Sequence, residues 1–274
     1  MENIAKEGGV KVIFFMAGTS DARNLAVEID RQGFPLVASV VTHSAAKSLA
    51  EAGLEVRVGR LNLEQMSNIL HNLEARLVVD ASHPFAEEAH RTAMAAAKKC
   101  NIPYIRYERA EQNYSDNQQI TLVDNYEEAA EVAAELKGSI MLTTGSKTLQ
   151  IFTKRLLNDP EIRLVARMLP RQDNMEKCAE LGVEQKNIIA MQGPFSYELN
   201  RSLYQHYGTT VMVTKESGQT GAVDEKVQAA LDMGIQVIVI GRPKIEYGTS
   251  FSTTDLVLEE IVKHLGEMQD GFSD

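Results

Sequence analysis

The sequence predicts an α/β protein of two Rossmann-like domains, with mostly parallel sheets and a cleft between them. Three observations lead there. Short apolar runs alternate with amphipathic segments from end to end, the pattern of parallel strands covered by helices. The 274 residues are long for one core and comfortable for two. A polar, aliphatic-poor stretch from Ala110 to Gln119 (AEQNYSDNQQ) breaks the alternation and suits a connection between domains.

Taken in order, the first series has strands at 11–16 (KVIFFM), 36–41 (LVASVV), 77–81 (LVVDA) and 103–107 (PYIRY). Each is a short apolar run of strand length. Helices fall between them at 20–32, 45–52, 62–72 and 84–100. Ser20 is the expected N-cap of the first. The last starts at Pro84, whose missing N–H and fixed φ suit a first helical turn. That puts His83 in the N-cap place usually taken by Ser, Thr, Asp or Asn. The second series has strands at 139–143 (SIMLT), 162–167 (IRLVAR), 187–191 (NIIAM), 210–214 (TVMVT) and 236–240 (QVIVI). Its helices fall at 126–137, 146–155, 173–181 (Asp173 the expected N-cap), 195–207 and 222–233. An irregular segment, 242–255 (RPKIEYGTSFSTTD), precedes a final helix at 255–267. The expected domains are 10–119 and 120–252, with 253–274 a C-terminal helix able to return to the first.

Composition excludes several classes. With 28 Lys and Arg against 38 Asp and Glu, the net charge of −10 argues against a general nucleic-acid or anionic-membrane binder. Cys100 and Cys178 are too few and too far apart for a metal motif or a disulfide framework, so no metal is expected and a reducing cytoplasm fits. No apolar run reaches the roughly 20 residues of a membrane span, and the N-terminus lacks a signal-peptide core. A soluble cytoplasmic protein follows, a monomer by default because nothing reads as a coiled coil. Met94, Met175 and Met233 sit at helical spacings that suit core packing.

Ligands of open α/β sheets bind beyond the carboxyl ends of the strands. The segments there are Ala17-Gly18-Thr19-Ser20-Asp21-Ala22-Arg23, Thr42-His43-Ser44 and Ser82-His83-Pro84-Phe85 in the first half. The second half adds Thr144-Gly145-Ser146-Lys147, Met168-Leu169-Pro170-Arg171, Gln192-Gly193-Pro194-Phe195-Ser196, Lys215-Glu216-Ser217-Gly218-Gln219-Thr220-Gly221 and Gly241-Arg242-Pro243. Glycines admit a ligand to the backbone, while hydroxyls and helix N-termini bind phosphate or carboxylate. Eight such loops suggest a polyanionic ligand, or two ligands sharing a cleft. Each residue also has a plain structural reading. The first turn, with one Gly, serves equally as a strand-to-helix connection. His83 is either a cap or a proton donor. Lys215 is either a solvated loop lysine or an ammonium aimed into the cleft. Arg23 in a first helical turn opposes the helix dipole, which makes a ligand role plausible. Thr42-His43-Ser44 stands where NAD sites place a carboxylate, so the second strand end is compatible with a 2′-phosphate and hence NADPH.

The chain resembles the precorrin-6A reductase family of corrin-ring biosynthesis. The matching pieces are AGTSDAR (17–23), DASHPFAEEAHRTA (80–93), IPYIRYER (102–109), TTGSKTL (143–149), MQGPFSYELN (191–200) and TKESGQTGAVDEKVQAA (214–230). They run in family order, with Ser20 where a Gly is frequent and Ala110 where a Pro often follows ER. The resemblance implies reduction of one double bond of a tetrapyrrole by hydride from NADPH, without flavin or metal. It implies a positive lining for the macrocycle carboxylates, for which Arg106, Arg109, Arg171 and Arg242 are the candidates. Lys215 and Arg23 are the expected cationic partners nearest the reacting ring, with His83 a possible proton donor. Cofactor contacts are expected from Gly18, Thr19, Thr42, Ser44, Ser82, Pro84, Phe85, Gly145, Ser146, Gly193, Ser217 and Gly218. Two other readings use the same loops. One is a non-redox two-domain tetrapyrrole enzyme resembling uroporphyrinogen-III synthase, the other a nucleotide-binding regulatory protein without chemistry.

Overall fold

A computed structural model of the chain describes residues 12–112, 114, 117–216, 218 and 225–266. Contacts divide the chain into two compact units, Met1–Arg109 with Lys244–Asp274, and Ala110–Pro243. The divisions fall earlier than the expected 119/120 and 252/253. Tyr114 and Ile120 belong to the hydrophobic cluster of the second unit, whereas Thr249 and Phe251 already hydrogen-bond to the backbone of the first.

The first unit contains β1 (Ile13–Ala17), α1 (Ser20–Arg31), β2 (Leu36–Val40), α2 (His43–Ala50), β3 (Glu55–Val58), α3 (Leu63–Asn72), β4 (Leu77–Ala81), α4 (Glu87–Cys100) and β5 (Tyr104–Tyr107). The second contains β6 (Ile120–Val123), α5 (Tyr126–Leu136), β7 (Gly138–Leu142), α6 (Leu149–Leu156), β8 (Ile162–Met168), α7 (Gln172–Glu180), β9 (Ile188–Ala190), α8 (Tyr197–Tyr207), β10 (Val211–Lys215), α9 (Glu225–Asp232) and β11 (Gln236–Ile240). The last segment adds β12 (Ser250–Phe251) and α10 (Thr254–Leu265) to the first unit.

Among the described residues every strand pairing is parallel. The first sheet runs β12-β5-β4-β1-β2-β3 and the second β6-β11-β10-β7-β8-β9. Five strands of each follow the doubly wound order. The sixth place is filled out of turn: β12 comes from the chain's end, and β6 precedes the strands it joins. Central strands are mostly apolar because helices cover both faces. Alternate residues of β1 serve opposite cores. Ile13, Phe15 and Ala17 pack with Leu25 and Ile29 of α1 and with Val257 and Ile261 of α10. Phe14 and Met16 pack with Met66 and Leu70 of α3 and with Ala93 and Ala97 of α4.

Three strands among the described residues lie outside the set expected from the sequence. β3 (EVRV) and β6 (ITLV) are edge strands with exposed residues, and β12 is two residues long. Capping also differs from expectation. Thr19, not Ser20, caps α1, its hydroxyl accepting from Ala22 N–H. Arg171, not Asp173, occupies the N-cap of α7, and Asp173 lies in the first turn beside the helix dipole. Pro84 does not open α4. It sits at the second position of a turn closed by Ala86 N–H on the His83 carbonyl at 2.7 Å, and α4 starts at Glu87 without a side-chain cap.

Candidate active site

Doubly wound sheets place ligands where the strand order reverses, because the connections leave a crevice there. In the first sheet the reversal lies between β1 and β4, and in the second between β7 and β10. The loops leaving these four strands contain most of the residues singled out above.

Beyond β1 and β2 lies a cavity of about 310 Å³ lined by Gly18, Thr19, Ser20, Arg23, Thr42, Ser44 and Ser48, among others. The structure thus brings together Gly18, Thr19, Arg23, Thr42 and Ser44. Arg23 Nε donates to the Ser48 carbonyl at 3.0 Å, which ties α1 to α2 across the cavity. The lining carries hydroxyls and a guanidinium and no carboxylate. Gly18 has a second constraint: a Cβ there would stand 2.8 Å from His83 N and 3.2 Å from Ser82 Cα. The turns after β1 and β4 therefore touch through backbone.

Beneath the turn after β4 lies a buried polar cluster. The Asp80 carboxylate has no exposed surface, and five donors reach it. Oδ1 accepts from Ser82 N–H at 3.0 Å, Ser82 Oγ at 2.5 Å and Arg106 Nη1 at 3.3 Å. Oδ2 accepts from Tyr104 Oη at 2.8 Å and faces His90 Nδ1 at 2.7 Å. Burial alone would raise the Asp80 pKa, but the hydrogen bond and charge of His90, with Arg106 and Ser82, hold the carboxyl well below its usual range. The Tyr104 hydroxyl is pushed far up by burial and by the Asp80 charge beside it. Burial and the Glu108 charge push Tyr247 up to about 12. The Tyr247 ring lies 5.2 Å from the Arg106 guanidinium and meets His90 edge-on.

In the second sheet, Lys215 ends β10 with a half-buried side chain. Burial pushes its ammonium pKa down to about 8, with Lys147 and Lys226 adding repulsion. The next residue, Glu216, is buried against Arg242 and accepts from Gly218 N–H at 2.7 Å, which shapes the turn behind Lys215. Ser217 lies outside the described residues. After β7, Gly145 takes φ +79°, a conformation that favours glycine, and Ser146 Oγ contacts Asn174 at 2.5 Å. The hydroxyls of Thr144 and Thr148 are buried with no hydrogen-bond partner among the described residues. Gly193 has Phe195 ring atoms 3.0 Å from where its Cβ would be. That ring lies 4.1 Å beneath the Arg167 guanidinium, which donates to Asn200 at 2.7 Å.

The arginines expected on macrocycle carboxylates are placed differently. Arg106 has no exposed surface, and its Nη atoms hold the carbonyls of Asp80 and Ser82 and the carboxylate of Glu108. Arg242 is buried against Glu216. Both guanidinium groups are turned to partners within the chain. Arg109 pairs with Asp21 at 3.0 Å, and Arg171 pairs with Asp173 at 2.9 Å on the surface. The Ser82 hydroxyl, expected on the cofactor, donates to Asp80 instead. Pro84 is buried and Phe85 half-buried, its ring 5.9 Å from that of His83. Sequence reasoning missed Asp80, His90, Tyr104, Glu216 and Asn200. The available signal was a charge inside an apolar strand (LVVDA, PYIRY), since a buried charge demands a partner.

A family model described as precorrin-6x reductase CbiJ/CobK matches residues 12–262. The cobalt-precorrin-6A reductase of Priestia megaterium is 58% identical over 252 residues, covering 92% of this chain and 98% of that one. The enzyme of the same name from Salmonella typhimurium is 36% identical, covering 92% of each. A solved structure of CobK precorrin-6A reductase superposes with a TM-score of 0.77 over 96% of this chain and 100% of that one, at 23% identity, and shares the fold.

Proposed function

The chain belongs to the precorrin-6x reductase family of cobalamin biosynthesis, reductases that act on a tetrapyrrole, and on that footing we propose that it reduces one double bond of cobalt-precorrin-6A with NADPH as the hydride source. The observation that carries the choice of cofactor is the cavity beyond β1 and β2. Its lining of Gly18, Thr19, Thr42, Ser44 and Arg23, without a carboxylate, suits the phosphorylated ribose of NADPH and lacks the acid that NAD sites use. The N-terminus of α1, capped by Thr19, offers backbone N–H groups to a phosphate. When bound, NADPH supplies the hydride. The cobalt-containing substrate follows the names of the relatives already described.

The residues of the chain then divide the remaining work. Arg23, expected beside the reacting ring, is better suited by this cavity to a cofactor phosphate. Lys215 pairs with a macrocycle carboxylate or gives up a proton. At about 8, its pKa leaves it charged at neutral pH and close enough to the working pH for transfer. The backbone N–H groups of Gly145 and Ser146 and the buried hydroxyls of Thr144 and Thr148 offer further donors to anionic groups, the Ser146 hydroxyl being engaged with Asn174. Arg106 and Arg242 act from behind, holding loops in place. A non-redox enzyme and a regulatory protein without chemistry are both set aside by membership of a reductase family.

The test is to titrate NADPH and NADH, following nicotinamide fluorescence, and to record single-turnover visible spectra with cobalt-precorrin-6A and with the metal-free macrocycle. NADPH should bind more tightly than NADH, and a spectral shift should follow because reduction shortens the conjugation. Absence of NADPH binding below about 1 mM, the upper end of ordinary substrate affinities, would sink the assignment.

A further inference from the structure

His90 lies on the buried face of α4 and has no exposed surface. Its two ring nitrogens face two acceptors: Nδ1 is 2.7 Å from Asp80 Oδ2, and Nε2 is 3.2 Å from the Pro84 carbonyl. Arg106 Nη1 holds two more carbonyls of the same stretch, those of Asp80 at 3.0 Å and Ser82 at 2.9 Å. Three alternate carbonyls, at 80, 82 and 84, are thus held from within, and His83 stands between the last two. Its carbonyl closes the turn on Ala86 N–H at 2.7 Å. Its Nδ1 accepts from Phe85 N–H at 3.2 Å. An imidazole nitrogen that accepts carries no proton, so the ring hydrogen of a neutral His83 sits on Nε2.

We propose that Asp80, His90 and Arg106 form a positioning unit that holds the Ser82–Ala86 turn so that His83 presents a neutral Nε2–H as a hydrogen-bond donor to an oxygen of the bound ligand. The inference rests on the reductase reading above and on the place of this turn, which leaves β4 at the reversal of strand order where ligands of such sheets bind. It answers the question His83 poses in the sequence. His83 is a donor of fixed tautomer, not the acid of the reaction, since protonating Nδ1 would set an N–H against the Phe85 N–H. The low pKa of Asp80 supports the geometry, because a permanent carboxylate keeps its donors aligned at neutral pH.

Asparagine and glutamine separate the two contacts of His90. The Asn amide nitrogen reaches the place of Nδ1 and keeps the bond to Asp80, whereas the Gln amide nitrogen reaches the place of Nε2 and keeps the bond to Pro84. The full-length chain and its H90N and H90Q variants are labelled with ¹⁵N-histidine, and the His83 signal is assigned with H83Q. His83 should show the Nε2–H tautomer in the wild type and in H90Q, and a tautomer mixture in H90N. The kcat for the macrocycle should fall about 10- to 100-fold in H90N, as expected for a displaced contact group, and H90Q should restore most of it. Three results would overturn the proposal: a wild-type His83 protonated on Nδ1, an H90N variant with unchanged tautomer and kcat, or losses in both variants that simply track thermal stability. If the wild type neither binds NADPH nor turns over, the reductase reading fails, while the NMR comparison still decides the role of the cluster.

Discussion

Replacing Lys215 with methionine should make the protein more stable at neutral pH while impairing its activity. Methionine keeps the unbranched stem and removes the charge. The folded chain lowers the Lys215 pKa from 10.5 to about 8, chiefly by burial. At about 1.4 kcal/mol per pH unit, holding that ammonium in place costs at most about 3.5 kcal/mol. Solvent screening at a half-buried side chain brings the expected gain to about 2 kcal/mol. The pH dependence follows from linkage. Below pH 8 the lysine is protonated in both states, so the full cost is present. Between about 8 and 10.5 the folded state has released the proton and the unfolded chain still binds it, so wild-type stability rises relative to the variant. Above 10.5 both states are neutral and the difference vanishes. Urea unfolding of both proteins at several pH values measures the gap directly, and other titrating groups cancel. A gap that does not change with pH, or a variant less stable at pH 7, would refute the account of a lysine held charged at a cost for function.

Three further outcomes are expected. Asp80→Asn should destabilise the first unit by about 3 kcal/mol at pH 7, because Arg106 loses the fully buried one of its two carboxylate partners and keeps only Glu108. The folded Asp80 pKa lies below its unfolded 3.8, so its stabilisation is complete above that value and lost as pH falls through the folded one. The variant should thus show a shallower acid limb in urea titrations below pH 4. Gly18→Ala should weaken NADPH binding about tenfold in a fluorescence titration, since the new methyl would press on His83 N and displace both turns. Ser44→Asp should lower NADPH affinity about tenfold and raise that for NADH, because it restores a ribose-binding carboxylate beside the cavity. An unchanged NADPH preference would remove the second strand end from the cofactor site.

Much of this protein is legible without coordinates. Central strands such as IFFMA and LVVDA are buried on both faces, so their apolar runs declare themselves, and the amphipathic segments between them follow. Once the alternation is read, the carboxyl ends of the strands are known, and with them the loops that can hold a ligand. Edge strands escape because one side meets solvent and polar residues such as Glu55 and Arg57 are tolerated there. Caps escape by a residue because Thr19 and Ser20 are equally good in isolation, and only the hydrogen bond to Ala22 chooses. The roles of the charged residues were decided by tertiary structure alone. Arg106 and Arg23 look alike in a sequence, yet parallel pairing places Arg106 against Asp80, and the fold of α4 brings His90 to the same carboxylate. A charge in that setting must be neutralised where it stands, so Arg106 supports the turn while Arg23 is left at the edge of an open cavity. Sequence tells which residues reach the end of a strand, but whether a side chain there turns outward to a ligand or inward to a partner depends on contacts distant along the chain.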